Sequence, residues 1–268
     1  MAEPPMWVVK DRDSQIVLFG SVHLLPPGLK WEPPALRRAI AHADDIWFEL
    51  PMDAATEADT TKLAAQLGVL PPDQSLFRLL PPADAARLAR VAQVYDLSPG
   101  LLDRLKPWLA EVALGDASYK KAGADMAFGP EHVIAAQAPP SAERRAFETP
   151  AEQLDIFNDT ALPDQVASLD ETLKELEEEP DEYDQLLRAW MNGDVAKLDR
   201  EALQPLRKVS PDLYRRLVID RNARWIKILR ARLAGKGRTV VVVGVGHLVG
   251  PGGLPARLRA LGYSVQGP

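Results

Sequence analysis

The alternation of apolar and polar residues predicts strands at both ends of the chain. Two short apolar runs, 6–10 and 16–19, flank the segment Asp11-Arg12-Asp13-Ser14, which is typical of a hairpin loop. The same reasoning predicts further short strands at 45–50, 144–147, 239–243 and 263–265. Each run is bounded by polar, Gly or Pro residues, so these are strands of ordinary length rather than buried helices.

Apolar residues at helical spacing fill the regions between these strands. Prolines divide the stretch from 54 to 122, and the proline pairs there fit helix starts better than helix interiors. A long helix is expected at 212–234, and shorter ones at 34–43 and 253–261. The acidic segment 175–184 is interpreted as a solvated helix end followed by a turn.

Strands that are distant in sequence have to pair with one another, which predicts the fold class. We expect an α/β (α+β) protein with a central mixed sheet built from the N-terminal and C-terminal strands. The whole chain, 1–268, is expected to form a single domain with a large helical insertion at about 54–234. At 268 residues the chain is long enough to bury a sizeable core.

Composition excludes several classes of function. The formal net charge of -6 argues against nucleic acid as a partner, because nucleic-acid binding needs clustered positive charge. The chain has no cysteine, so it can form no disulfide and no thiolate can act as nucleophile or metal ligand. No apolar stretch approaches the ~18 residues of a transmembrane segment. The sequence predicts a periplasmic protein if an export signal has been trimmed and a cytoplasmic one otherwise, and it does not indicate an oligomeric state.

The most informative feature is a short internal repeat that ends in histidine. Near the start, residues 17–24 read Val-Leu-Phe-Gly-Ser-Val-His-Leu, and near the end residues 241–248 read Val-Val-Val-Gly-Val-Gly-His-Leu. Each copy is an apolar strand followed by Gly-x-x-His-Leu and then a turn rich in Gly and Pro. Two of the four histidines in the chain, His23 and His247, therefore occupy the same position of one pattern.

This repeat predicts a shared site at one edge of the sheet. Ligands of α/β sheets bind at the carboxyl ends of the strands, and Gly20 and Gly244 allow the backbone to turn there. If the two strands are neighbours, both imidazoles converge, and Glu49 adds a carboxylate at the end of a third strand. Two histidines and one carboxylate are an established ligand set for catalytic metals.

Several motifs together resemble the TraB/GumN family, which includes the PrgY proteins and is similar to the Tiki metalloproteases. The resemblance covers nearly the whole chain. It is carried by residues 7–11 (Trp-Val-Val-Lys-Asp), 18–28, 43–49 (Ala-Asp-Asp-Ile-Trp-Phe-Glu), 106–108 (Lys-Pro-Trp), 123–125 (Gly-Ala-Asp), 147–154 (Phe-Glu-Thr-Pro-Ala-Glu-Gln-Leu), 221–225 (Arg-Asn-Ala-Arg-Trp) and 243–248. Each piece alone is weak, whereas the set is specific.

The resemblance implies a metal-dependent peptidase in which His23, Glu49 and His247 bind a divalent metal ion. Zinc, manganese and cobalt all suit such oxygen and imidazole ligands. The substrate would be a peptide or a small molecule. Two alternatives remain open: a binding protein for haem or another small ligand, which is not an enzyme, and a metal-free esterase that uses histidine and glutamate.

Further residues are assigned roles from their positions. Glu148 is the candidate general base, although it could instead favour the start of a helix capped by Thr149. Arg221 and Asn222 lie among apolar residues of a predicted helix and are candidate catalytic residues. Arg221 could stabilise an oxyanion or bind a substrate carboxylate, or it could form a structural ion pair to Glu49 or Asp125. Asn is a poor helix former, which indicates a role for the amide of Asn222. The residues expected to orient the ligands or contact substrate are Gly20, Ser21, Asp125, Gly244 and Gly246.

Overall fold

The computed structural model describes residues 2–268 and contains a six-stranded mixed sheet. The order of strands across the sheet is β4-β3-β5-β2-β1-β6. β1 runs antiparallel to β2 and β6, whereas β2, β5, β3 and β4 are parallel. The strands are β1 Met6–Lys10, β2 Ser14–Ser21, β3 Asp45–Phe48, β4 Glu143–Ala146, β5 Gly237–Gly244 and β6 Ser264–Gln266.

The two strands of the repeat, β2 and β5, are neighbours in the centre of the sheet. Their register pairs Gly20 with Val243 and Ser21 with Gly244, so the second copy of the pattern is displaced by one residue relative to the first. Residues 240–243 of β5 are all buried, as expected for a parallel strand that is covered on both faces. Both turns consequently leave the sheet at its carboxyl edge.

Helices cover the sheet and fill the long connection between β3 and β5. Many begin with proline in the first turn, where its missing N–H is not needed. They are α1 Pro34–Ala41, α2 Ala54–Leu67, α3 Leu76–Leu79, α4 Pro82–Val94, α5 Pro99–Leu102, α6 Pro107–Lys121, α7 Pro130–Gln137, α8 Pro150–Asn158, α9 Leu162–Glu178, α10 Glu182–Met191, α11 Val195–Leu198, α12 Gln204–Val209, α13 Pro211–Tyr214, α14 Arg221–Leu233 and α15 Leu254–Ala260.

Four irregular helical turns complete the architecture. Met126–Phe128 and Val245–His247 are 3₁₀ turns, and the second of them carries the histidine of the C-terminal repeat. Asp199–Leu203 and Arg215–Asp220 are π-helical, with backbone hydrogen bonds between residues i and i+5 instead of i and i+4. Such segments are rare and concentrate at functional sites.

Buried side chains form two clusters. The larger one surrounds the sheet and includes Trp7, Phe19, Trp190 and Trp225, each at most 2% exposed. The smaller one lies among helices of the insertion, with members between Leu70 and Leu173. Within residues 2–268, none of the helices combines the length and apolar composition needed to cross a bilayer.

The structure confirms the expected α/β class and the hairpin between β1 and β2. The strand predicted at 144–147 is present as β4, one residue earlier in the chain, and it pairs in parallel with β3 at the edge of the sheet. The structure differs from the expected plan in the long helix. The helix expected at 212–234 is divided by the π-helical segment Arg215–Asp220, and α14 begins at the buried Arg221.

Candidate functional site

Three neighbouring parallel strands deliver the three predicted ligand residues to one edge of the sheet. His23 follows β2, Glu49 follows β3, and His247 closes the 3₁₀ turn after β5, which lies between the other two strands. Because these strands run in the same direction, their carboxyl ends meet at a common edge. The structure thus brings His247 together with two residues that lie more than 190 positions earlier in the chain.

His23 lies on the solvent side of this site and is held by a carboxylate from α7. Its Nδ1 is 2.8 Å from Oε1 of Glu131, and Oγ of Ser21 donates a hydrogen bond to the same oxygen. The negative charge of Glu131 raises the pKa of His23 to about 9, against the opposing effect of burial. The imidazole remains 56% exposed on its outer side. α7 can approach this closely because residue 129 is glycine. A Cβ at this position would clash with the carbonyl oxygen of His23.

His247 lies on the inner side of the site and is 6% exposed. Its Nε2 is 2.9 Å from Nη1 of Arg221, which can only donate, so Nε2 is the acceptor. The ring proton is therefore on Nδ1, which donates to Oδ1 of Asn222 at 2.8 Å. Burial lowers the pKa of His247 to about 3, and the positive charge of Arg221 acts in the same direction. The ring also packs on Trp225, with 4.4 Å between ring centroids.

Glu49 lies between the two histidines. Its Oε1 accepts a hydrogen bond of 2.7 Å from the backbone N–H of Gly244, and its Oε2 accepts from Arg221 and from Gln153. Burial by itself would raise the pKa of Glu49, but Arg221 and the two imidazoles hold it well below its usual range. His247 Nε2 is 3.9 Å from Glu49 Oε1. The carboxylate is therefore ionised at the centre of the site.

The glycine at the end of β5 keeps the space between His23 and Glu49 open. A Cβ built on Gly244 would lie 3.3 Å from Nε2 of His23 and 3.3 Å from Oε1 of Glu49. These distances show that both atoms face the same small space. Within residues 2–268, no hydrogen bond engages Nε2 of His23, so its lone pair is available on deprotonation.

Glu148 and Arg221 form the buried base of the site. Nε of Arg221 donates to both oxygens of Glu148 at 3.0 Å, and Arg224 and Trp225 donate to Oε1 of the same carboxylate. Glu148 is 5% exposed, and within residues 2–268 the hydrogen bonds of its carboxylate all come from α14. This geometry supports a positioning role for Glu148, while its role as general base stays a prediction. Arg221 forms the structural ion pair that was one of its expected roles.

The remaining predicted residues surround the site without all touching it. Asn222 donates to the carbonyls of His247 and Gly252, which orients its amide. Asp125 caps the 3₁₀ turn Met126–Phe128, so the carboxylate that contacts His23 is Glu131 rather than Asp125. Gly20 and Gly246 permit close packing of their neighbours. A Cβ at Gly20 would lie 2.9 Å from Val245, and a Cβ at Gly246 would lie 3.2 Å from Leu203.

Sequence reasoning missed Glu131 and assigned no role to Gln153. Glu131 follows a proline at the start of α7, which is an ordinary position for a helix-start carboxylate. Nothing local relates it to residue 23, because their contact joins positions 108 apart. Gln153 lies in α8, which begins at the expected cap Thr149, with a capping box between Thr149 and Glu152.

The donors in this site fit a divalent metal ion in kind. Both imidazoles are held through Nδ1 by a carboxylate or an amide, which leaves Nε2 directed toward Glu49, as in many metal-binding histidines. Arg221 shares that position, because it donates to Nε2 of His247. In the part of the chain that the structure describes, no three His, Asp or Glu side chains are grouped tightly enough to hold an ion as they stand. Metal binding at His247 therefore requires Nη1 of Arg221 to move away.

The fold and the site define a class of protein: an α/β protein with a histidine–glutamate centre formed by paired Gly-x-x-His turns. The model of the TraB/PrgY/gumN family matches residues 5–267, and the chain belongs to this family. Two similar relatives are the uncharacterized protein YbaP of Escherichia coli (strain K12) and its namesake in Shigella flexneri. Each is 26% identical over 243 residues, which cover 90% of this chain and 87% of the relative. No solved structure matches the chain.

Proposed function

We propose that the chain is a hydrolase of peptide or amide bonds that uses a divalent metal ion held by His23, Glu49 and His247. The observation that carries the proposal is the space between His23 and Glu49, which Gly244 keeps open, with Nε2 of His247 3.9 Å from Oε1 of Glu49. Zinc, manganese and cobalt suit this donor set equally. A bound ion of this kind lowers the pKa of its water toward ~7 and polarises a carbonyl group.

The protein groups around the centre have distinct parts in this proposal. Glu131 and Asn222 hold the Nδ1 protons of the two histidines, which makes Nε2 the ligand atom of each ring. At His247 this requires Nη1 of Arg221 to move away from Nε2. Arg221 keeps Glu49 ionised and carries the positive charge closest to it, where it can stabilise an oxyanion that develops on a substrate. Glu148 holds the Arg221 guanidinium in place through its two hydrogen bonds.

One observation favours a second candidate function, a metal-free esterase. Arg221 already donates to Nε2 of His247, which occupies the lone pair that a metal would need. In a metal-free reaction His23 would serve as the acid–base group, oriented by Glu131 on the exposed side of the site. No hydrogen bond or contact within residues 2–268 favours haem over these two candidates.

Elemental analysis and hydrolysis assays on protein purified without a histidine tag test the proposal. We expect about one divalent ion per chain and activity that a chelator removes. His23→Ala and His247→Ala should each lower the rate at least ~100-fold, since even partners outside the ligand shell contribute ~10–100-fold in such sites. A panel of amide, peptide and ester substrates provides the readout.

His42→Ala is the matched control, because His42 is exposed and lies outside the centre. Its metal content and rate should equal those of the unmodified protein. Hydrolysis that survives the chelator and is lost in His23→Ala would replace the metal-dependent proposal by the metal-free one. Absence of hydrolysis with every metal and substrate would refute both.

A further inference from the structure

A cavity of about 270 Å³ lies among helices of the insertion. Its wall contains five carboxylates together with apolar side chains such as Leu186 and Leu213. The carboxylates are Glu111, Glu171, Glu175, Glu182 and Glu201. The acidic segment 175–184 is thus not entirely a solvated helix end and turn, since two of its carboxylates, Glu175 and Glu182, face this cavity.

The negative charge of the cavity is only partly compensated by the protein. Within residues 2–268 neither Glu175 nor Glu182 forms an ion pair, and Glu111 is bonded only to the hydroxyls of Ser168 and Thr172. Burial, followed by the neighbouring carboxylates, raises the pKa of Glu175 to about 7. The pKa values of Glu111 and Glu182 are raised as well, chiefly by burial. A cation in the cavity would relieve this repulsion.

A second observation indicates a ligand independently of the acidic residues. Ser210 lines the cavity and is 1% exposed, yet its Oγ has no hydrogen-bond partner in the described part of the chain. Buried hydroxyl groups are normally paired, so an unpaired one in a cavity wall is suited to a polar ligand. Two π-helical segments also contribute to the wall, through Glu201 and Leu217.

Three sets of contacts link the wall of the cavity to residues of the centre. The carbonyl of Leu217 in its wall accepts a hydrogen bond of 3.2 Å from Arg221. Phe157 lies one helical turn, about 6 Å, beyond Gln153, which contacts Glu49. Tyr119 of the cavity packs on Tyr183, which in turn donates to the carbonyl next to His23. The wall of the cavity is therefore joined to the centre by packed side chains and backbone.

We propose that this cavity binds the ammonium or guanidinium group of an aliphatic cation, held by Glu175 and Glu182. This inference rests on the proposed function only where it assigns the cation to the substrate of the hydrolase. The spread of the carboxylates favours an extended cation over a metal ion, because among residues 2–268 no three of them are grouped as ligands. The apolar wall suits an aliphatic stem.

Calorimetric titration at pH 8 tests the inference with 1,5-diaminopentane as the probe and pentane-1,5-diol as its uncharged counterpart. The diamine should bind saturably and the diol should not. In the double variant Glu175→Gln/Glu182→Gln we expect at least about tenfold weaker binding of the diamine, because two charges next to the ammonium are lost.

The matched control is Glu178→Gln/Asp184→Asn, which removes the same charge from exposed positions of the same two helices. Its affinity should stay within about twofold of the unmodified protein, as expected for screened surface charges. An equal loss in both double variants would show general attraction to an acidic surface and overturn the inference. Failure of the unmodified chain to distinguish diamine from diol would overturn it without any variant.

Two further arms separate the source of the cation from the chemistry of the centre. An acetylated Ala-Lys-Ala amide is titrated beside its norleucine analogue, which lacks the ammonium group and should not bind. Tighter binding of the lysine peptide than of the diamine identifies the basic side chain of a peptide as the ligand. The reverse order identifies a free polyamine. The titrations are repeated in His247→Ala, where binding should persist. Diamine binding without any hydrolysis would refute the hydrolase proposal and leave the cation site. Hydrolysis without diamine binding would refute only the cation site.

Discussion

The turn after β2 and the turn after β5 share a residue pattern but place their histidines in opposite environments. His23 is half-exposed beside a carboxylate, and its pKa is raised to about 9. His247 is buried beside a guanidinium, and its pKa is lowered to about 3. Both donate their Nδ1 proton to an oxygen from a helix, Glu131 in one case and Asn222 in the other. One local pattern therefore produces a cationic and a neutral imidazole, depending on what the helices supply.

Replacing the guanidinium on the buried side should have the largest effect. Arg221→Met removes the buried guanidinium that Glu49 and Glu148 share, so we expect a loss of about 3–5 kcal/mol in the free energy of unfolding. Urea denaturation measures it. Arg224→Met is the control: Arg224 also contacts Glu148, but its side chain is 50% exposed, and the change should cost no more than about 1 kcal/mol. Equal losses would contradict a buried, position-specific role for Arg221.

The paired glycines offer an intermediate effect. A Cβ at Gly20 would lie 2.9 Å from Cγ2 and 3.3 Å from Cα of the buried Val245, so Gly20→Ala should destabilise the fold by about 1–3 kcal/mol. At Gly244 the nearest atoms belong to the side chains of Glu49 and the half-exposed His23, whose ring can turn away. Gly244→Ala should therefore cost less than about 1 kcal/mol in urea denaturation but weaken metal binding and hydrolysis. A Gly244→Ala protein with full activity would show that the space is not used.

The smallest effect concerns the exposed histidine and its dependence on pH. Since the folded-state pKa of His23 is raised from 6.5 to about 9, its contribution to stability is fully present below pH 6.5 and is lost as the pH rises through 9. The contribution should be below about 1 kcal/mol, because the ring is 56% exposed and solvent screens its ion pair. Unfolding of the metal-free protein and of Glu131→Gln at pH 6.5 and pH 10 measures the difference.

Imidazole NMR spectra of the same two proteins show the contrast directly. In the metal-free protein the His23 signals should move with a midpoint near pH 9, and in Glu131→Gln with a midpoint nearer 6.5. The His247 signals should stay those of a neutral ring protonated on Nδ1 from pH 5 upward. A shared midpoint for both rings would remove the distinction between the two turns.

Local patterns were sufficient for the strands and for the convergence of three site residues. The apolar runs around residues 17–19 and 241–243 form adjacent parallel strands. Such short continuous apolar runs are typical of strands that are buried on both faces. The repeat then determined that His23 and His247 leave the sheet at the same edge as Glu49. The interruption of the helix expected at 212–234 was not predictable, because the π-helical segment Arg215–Asp220 depends on what packs against it.

The amino-acid pattern was enough to establish the strands, their class of fold and the two turns, because these depend on residues that are neighbours in the chain. Packing across the molecule decided which histidine is charged, which carboxylate supports His23, and that Glu175 and Glu182 line a cavity. These properties depend on burial and on charges contributed by helices far away in sequence, and electrostatic effects of that kind exist only after the chain has folded.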